Sequence, residues 1–227
     1  MEIVLVHGAG GRPTTWSAVA PLLAAQGHHV ITVTNPMTSL DDDVANTLAA
    51  VEATSGPVLL AGHSYGGAVI TNAGRHPRVR ALVYIAAFAP EEGETVNGIV
   101  ERYEPAEISR HMRRGANGDW KSEPGPDFWA EIGWDLSPEQ RSIVEAEGRA
   151  AEDLIFKQAT GAPAWRTLPS WYLLAEQDRT LRPEIQADMA HRMGATLERV
   201  PGSHYTTLVH PDRVAAIITA AVSAVAP

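Results

Sequence analysis

The chain has 227 residues, with 18 Lys plus Arg against 27 Asp plus Glu, a formal net charge of −9 and no cysteine. That length fits one domain, or one domain carrying a large insertion, and 44% apolar with 20% charged residues excludes general disorder. The missing cysteines exclude a disulfide scaffold, thiolate metal sites and a cysteine nucleophile, and the acidic balance without a basic cluster argues against nucleic acid or an anionic membrane as partner.

No apolar run reaches the roughly 18 residues of a membrane span. The opening Met1-Glu2-Ile3-Val4-Leu5-Val6 has no basic leader and reads directly as a strand, so an unexported, cytoplasmic protein is expected. Ile3 to Val6 suits a strand buried on both faces, and it ends in His7-Gly8-Ala9-Gly10-Gly11. Thr14 and Thr15 offer N-caps for a helix to about Gln26, with Trp16, Val19, Ala20 and Leu23 at helical spacing and Gly27 as the stop. Val30–Val33 is the next strand. A helix over about Leu40–Ala53 follows, with Asp41, Asp42 and Asp43 in its first turn, where acids suit the helix dipole. Pro57–Ala61 is strand, Gly66–Arg75 helix and Val79–Ile85 strand. Alternation in units of roughly 30 residues predicts a parallel sheet with helices on both faces.

The pattern then changes. From about Glu91 to Trp165 there is no convincing strand, and Gly and Pro recur among helical stretches such as Pro138–Glu147 and Glu152–Gln158. Seven of the fourteen aromatic residues fall here: Tyr103, Trp120, Phe128, Trp129, Trp134, Phe156 and Trp165. That is too much apolar surface for a loose excursion in water, so residues 91–165 are expected to form a helical cap over a pocket. Residues 1–90 and 166–227 form the core. Ser170–Leu174 and Thr196–Val200 are its last strands, with a helix over Pro183–Met193 between them. The final helix, about Pro211–Val225, carries Val214, Ile217, Ile218, Ala221 and Val225 on one stripe, which suits either core packing or a homodimer contact.

The most informative segment is Gly62-His63-Ser64-Tyr65-Gly66-Gly67. It fits Gly-x-Ser-x-Gly between a predicted strand and a predicted helix, the context in which a serine is lifted clear of a sheet on a sharp turn. Serine needs a base to act as nucleophile. His204 follows the last strand directly through Pro201-Gly202-Ser203; His210, ahead of Pro211, is its rival. The acid is expected after the strand that precedes the histidine. There Glu176 and Asp178 both stand, spacing favouring Asp178, with Glu91 or Glu92 a third option. Oxyanion donors are expected at the amides of Tyr65 and Ala9. The glycines at positions 8, 10 and 11 do not make Gly-x-Gly-x-x-Gly and no Gly-Lys-Ser/Thr is present, which disfavours a nucleotide site. Histidine spacing gives no metal site and no cofactor is needed.

With these motifs the whole chain resembles the α/β-hydrolase superfamily, in particular small bacterial members related to plant methyl-ester esterases and hydroxynitrile lyases. Val4-Leu5-Val6-His7-Gly8-Ala9 is similar to that family's first core strand and oxyanion loop. Ala86-Ala87-Phe88-Ala89-Pro90 is similar to its entry to the cap, and Glu176-Gln177-Asp178-Arg179 with Gly202-Ser203-His204 to its acid and histidine segments. The resemblance implies an α/β-hydrolase fold with about six mostly parallel strands, and it raises Asp178 over Glu176. Relatives with lyase activity carry Thr after the oxyanion-loop His and Lys after the catalytic His; Gly8 and Tyr205 stand there instead. The expected activity is that of a serine esterase on small or medium apolar esters, with Gly8, Phe88, Trp129 and Tyr205 contacting substrate. Thioester or lactone cleavage, a biosynthetic tailoring step, and a ligand-binding module without turnover are the competing expectations.

Overall fold

The computed structural model describes residues 1–225. In chain order the strands are β1 (Glu2–Val6), β2 (His29–Thr32), β3 (Val58–His63), β4 (Val79–Ile85), β5 (Met112–Arg114), β6 (Trp120–Ser122), β7 (Ser170–Ala175) and β8 (Thr196–Val200). The helices are α1 (Ala20–Ala25), α2 (Leu40–Glu52), α3 (Gly66–Ala73), α4 (Val96–Val100), α5 (Pro126–Glu131), α6 (Pro138–Glu147), α7 (Leu154–Lys157), α8 (Pro183–Met193), α9 (Thr206–Val209) and α10 (Pro211–Val225). Six strands pair in parallel in the order β2-β1-β3-β4-β7-β8.

Strand periodicity splits the core into two layers. Val4, Val6, Leu60, Tyr84 and Tyr172 face one side, packed with α2, α3 and α8. Ile3, Leu5, Leu59, Val83 and Leu173 face the other, packed with α1 and α10. Both faces of the central strands are therefore covered, which is why these segments read as near-continuous apolar runs, broken in β4 only by the exposed Arg80. The α10 stripe (Val214, Ile217, Ile218, Ala221) lies fully in the second layer, so its apolar face serves the core.

Two sequence expectations need correction. The helix expected over residues 14–26 is a 3-10 turn at Pro13–Trp16 followed by the short α1, and neither Thr14 nor Thr15 supplies a side-chain cap. Trp16, Val19 and Leu23 are nonetheless fully buried, so the apolar spacing survives the change of helix type. The stretch between β4 and β7 also holds an antiparallel hairpin, β5–β6, and Trp120 forms a further antiparallel bridge with Ala151. Each hairpin strand has three residues, too few to show a period.

β1 and β3 are neighbours, but their connections run to opposite sides of the sheet. A crevice forms at such a switch point, beyond the carboxyl ends of the strands. His7-Gly8 leaves β1 there and Ser64 leaves β3 there.

Candidate active site

Ser64 sits between β3 and α3 with φ +54, a left-handed conformation that is strained for a residue with a side chain. The bend holds because the chain around it is crowded. A Cβ on Gly62 would lie 2.5 Å from the Gly66 carbonyl oxygen, and one on Gly66 would lie 2.5 Å from that of Val6. The turn is pinned by Ser64 N–H donating to Ile85 O (3.2 Å) and Phe88 N–H donating to Ser64 O (3.0 Å). The loop after β1 passes directly over the serine: a Cβ on Gly8 would start 2.8 Å from Ser64 Cβ and 3.3 Å from its Oγ.

His204 and Asp178 approach from β8 and β7. His204 Nδ1 and Asp178 Oδ2 are 2.6 Å apart and both side chains are buried. Asp178 is surrounded by donors. Thr180 N–H (2.7 Å) and Leu181 N–H (2.9 Å) donate to Oδ1, and Gln186 Nε2 donates to Oδ2 (2.8 Å). Glu176 is exposed, and Glu91 pairs with Arg166 on the surface. Glu92 is exposed as well, so the structure brings Asp178, and none of the three alternative carboxylates, to the histidine. His210 lies with its ring beside Gly202, its carbonyl accepts from Val214 N–H at the start of α10, and it is absent from the cavity wall.

Ser64, His204, Gly8, Ala9 and Tyr65 all border one cavity of about 450 Å³. Phe88 and Tyr205 line it, as expected. Trp129 does not. Its ring is buried in a cluster with Leu136, Val144 and Leu208, edge-on to Phe128 and with the Arg141 guanidinium over it. Phe128, Trp120 and Phe156 supply the aromatic wall instead, while Trp134 is 42% exposed. Among the described residues no hydrogen bond joins Ser64 Oγ to His204, and no group of three metal-ligating side chains occurs.

Further buried polar residues brace these groups. His63 Nε2–H donates to the carbonyl of His204 (2.9 Å), with the two rings 4.7 Å apart. His7 Nδ1–H donates to Gly8 O (2.8 Å), and its Nε2 accepts from Asn35 N–H (3.1 Å). A ring that accepts at one nitrogen is neutral. Asp43 Oδ1 accepts from Met37 N–H and Oδ2 from the Tyr65 hydroxyl, each at 2.9 Å. Asp43 was legible as more than a dipole partner: Leu40, Asp43, Thr47 and Val51, the buried positions of α2, share one stripe. His7 and His63 are marked by position alone, each beside a motif at the end of a strand, which reads as a packing or supporting place.

These groups make stability depend on pH. Burial, aided by the neighbouring His204, pushes His63 down to about 3. Burial against the Gly8 hydrogen bond, with Arg149 and Arg12 nearby, leaves His7 at about 4. Both bind protons more readily when unfolded, so each contributes stability above the ordinary histidine range that is lost as pH falls from about 6.5 toward these values. Burial raises Asp43 to about 6, partly offset by its two hydrogen bonds. Its protonation works in the opposite sense between about pH 6 and 4. Two histidines against one carboxyl give a net loss of several kcal/mol between pH 7 and pH 4. Urea midpoints across that range should fall steadily; a flat profile would contradict it.

The chain matches the model of the alpha/beta hydrolase family over residues 3–217 and belongs to that family. It is 35% identical to a pyrethroid hydrolase of Sphingobium wenxiniae, over 96% of this chain and 86% of the relative. It is 34% identical to a carbendazim hydrolyzing esterase of Nocardioides, a match that spans about half of each chain (50% and 53%). The crystal structure of polyneuridine aldehyde esterase shares the fold with a TM-score of 0.84 at 20% identity, covering 96% of this chain and 98% of that one. The α/β-hydrolase family and fold expected from the sequence are thus met.

Proposed function

We infer that the protein is a carboxylesterase working through an acyl-enzyme on Ser64. The observation that carries this reading is the buried 2.6 Å pair of His204 and Asp178, opening onto the same cavity as a serine held on a strained turn. His204 Nε2 takes the hydroxyl proton as Ser64 Oγ attacks the ester carbonyl, and Asp178 stabilises the imidazolium that results. The amides of Ala9 and Tyr65 hold the oxyanion. Among the described residues neither amide donates to a backbone carbonyl, which leaves both available. His204 then protonates the departing alcohol, and water repeats the sequence on the acyl group.

The cavity wall is mainly apolar and aromatic, which supports small or medium apolar esters as substrates. Lyase chemistry is disfavoured by the departures at Gly8 and Tyr205. A side chain at position 8 would also press on Ser64. Names of relatives point to esters too, though pyrethroid and carbendazim turnover belong to those proteins.

A panel of methyl, p-nitrophenyl, thio- and lactone esters, run beside a serine-directed fluorophosphonate, tests the reading. The expected outcome is fastest turnover of oxygen esters and one phosphonate adduct per chain, on the peptide carrying Ser64. Faster thioester or lactone cleavage would move the substrate class. No adduct and no turnover, with tight binding of an apolar ligand, would mark a binding module.

A further inference from the structure

The oxyanion loop has glycine at positions 8, 10 and 11, with Gly10 at φ +70, so its own covalent chemistry does little to aim the Ala9 amide. Aim comes from its neighbours. A planar trans peptide points the Ala9 N–H opposite to the Gly8 carbonyl. That carbonyl accepts from His7 Nδ1–H (2.8 Å) and Gly11 N–H (3.1 Å). His7 can donate from Nδ1 in its neutral form only while Nε2 stays an acceptor.

Arg149, from the segment between α6 and α7, closes this arrangement. Its Nη2 donates to His7 Nε2 (3.2 Å) and to Asn35 O (2.5 Å), its Nε to Gly11 O (2.9 Å) and its backbone N–H to Gly10 O (3.2 Å). All four acceptors are neutral, so this is a clamp rather than an ion pair. The strand-like bridge of Ala151 to Trp120 ties the same segment to the β5–β6 hairpin, with N–H···O distances of 2.7 and 2.8 Å. A Cβ on Gly10 would lie 2.9 Å from Arg149 O, so the fit also depends on that glycine.

We propose that Arg149 is a positioning residue for the oxyanion hole: by joining Asn35 N–H on His7 Nε2 and by fixing the Gly10 and Gly11 carbonyls, it aims the Ala9 amide at the reacting carbonyl, so that the segment over the pocket completes the site below. The proposal rests on the esterase reading. A misaimed donor weakens the transition state more than the bound ester, so the effect falls on kcat.

Arg149→Ala should lower kcat for p-nitrophenyl acetate about 10- to 100-fold with KM within about threefold. Affinity for an aryl trifluoromethyl ketone, which forms an oxyanion on Ser64, should fall by a similar factor, and millimolar guanidinium should restore part of kcat. Should Arg149→Ala not fold, as judged by circular dichroism, Arg149→Lys is read in the same way. It keeps the charge without the fork, and the same kcat and trifluoromethyl ketone losses are expected. Wild-type kcat in the folded variant, or a kcat loss with unchanged trifluoromethyl ketone affinity, would overturn the proposal. A wild-type enzyme inert to both ester and fluorophosphonate would instead overturn the esterase reading, and this inference with it.

Discussion

Ser64→Ala is expected to reduce ester hydrolysis by between about ten thousand- and a million-fold while leaving the melting curve unchanged. The serine oxygen is the atom that bonds to the acyl carbon in the proposed reaction, so no neighbouring group substitutes for it. Catalysis above the rate in water should persist at a low level, because the Ala9 and Tyr65 amides still polarise a bound carbonyl. The backbone at position 64 keeps φ +54 in both forms, and alanine bears that strain as serine does. Fluorophosphonate labelling should vanish together with turnover. A variant that keeps more than a few per cent of wild-type kcat would move the nucleophile elsewhere.

Asp178→Asn should cost about ten-thousand-fold in kcat, and Glu176→Gln less than twofold. Four donors converge on the Asp178 carboxylate: Thr180 N–H, Leu181 N–H, Gln186 Nε2 and His204 Nδ1. A carboxylate accepts from all of them, whereas an amide must turn its own NH2 toward one pair. If the NH2 faces His204, the imidazole adopts the wrong tautomer. If it faces the two backbone amides, two buried N–H groups lose their acceptor, at about 1–3 kcal/mol. Lower stability alongside lost activity is therefore expected for Asp178→Asn and not for Glu176→Gln, since Glu176 is exposed. The reverse ranking would transfer the role of the acid to Glu176.

Much of the scaffold was legible because burial on both faces writes itself as short apolar runs, as in Ile3–Val6 and Val79–Ile85. The serine turn was legible because its glycines answer to steric need: Gly62 and Gly66 have carbonyl oxygens where a Cβ would stand. Local spacing placed His204 and favoured Asp178 without deciding it; the buried donors around Asp178 come from α8 and its approach, beyond any local pattern. The region over the pocket was hardest. Met112–Arg114 and Trp120–Ser122 are brief and partly charged, so nothing in them signals pairing. Aromatic content pointed to a covered pocket but not to which ring faces it, and Phe128 and Trp129, adjacent on α5, divide between cavity and interior. Arg149 carries no signature, since each of its acceptors lies far away in the chain.

Neighbouring strands β4 and β7 are separated in the polypeptide by residues 86–169, the span containing everything above the pocket. A ribosome therefore releases Ser64, with the amides that serve it, long before it makes Asp178 or His204. In the proposed reaction such a growing chain lacks both the base and its carboxylate, so ester hydrolysis is expected only once β7 and β8 have joined the sheet.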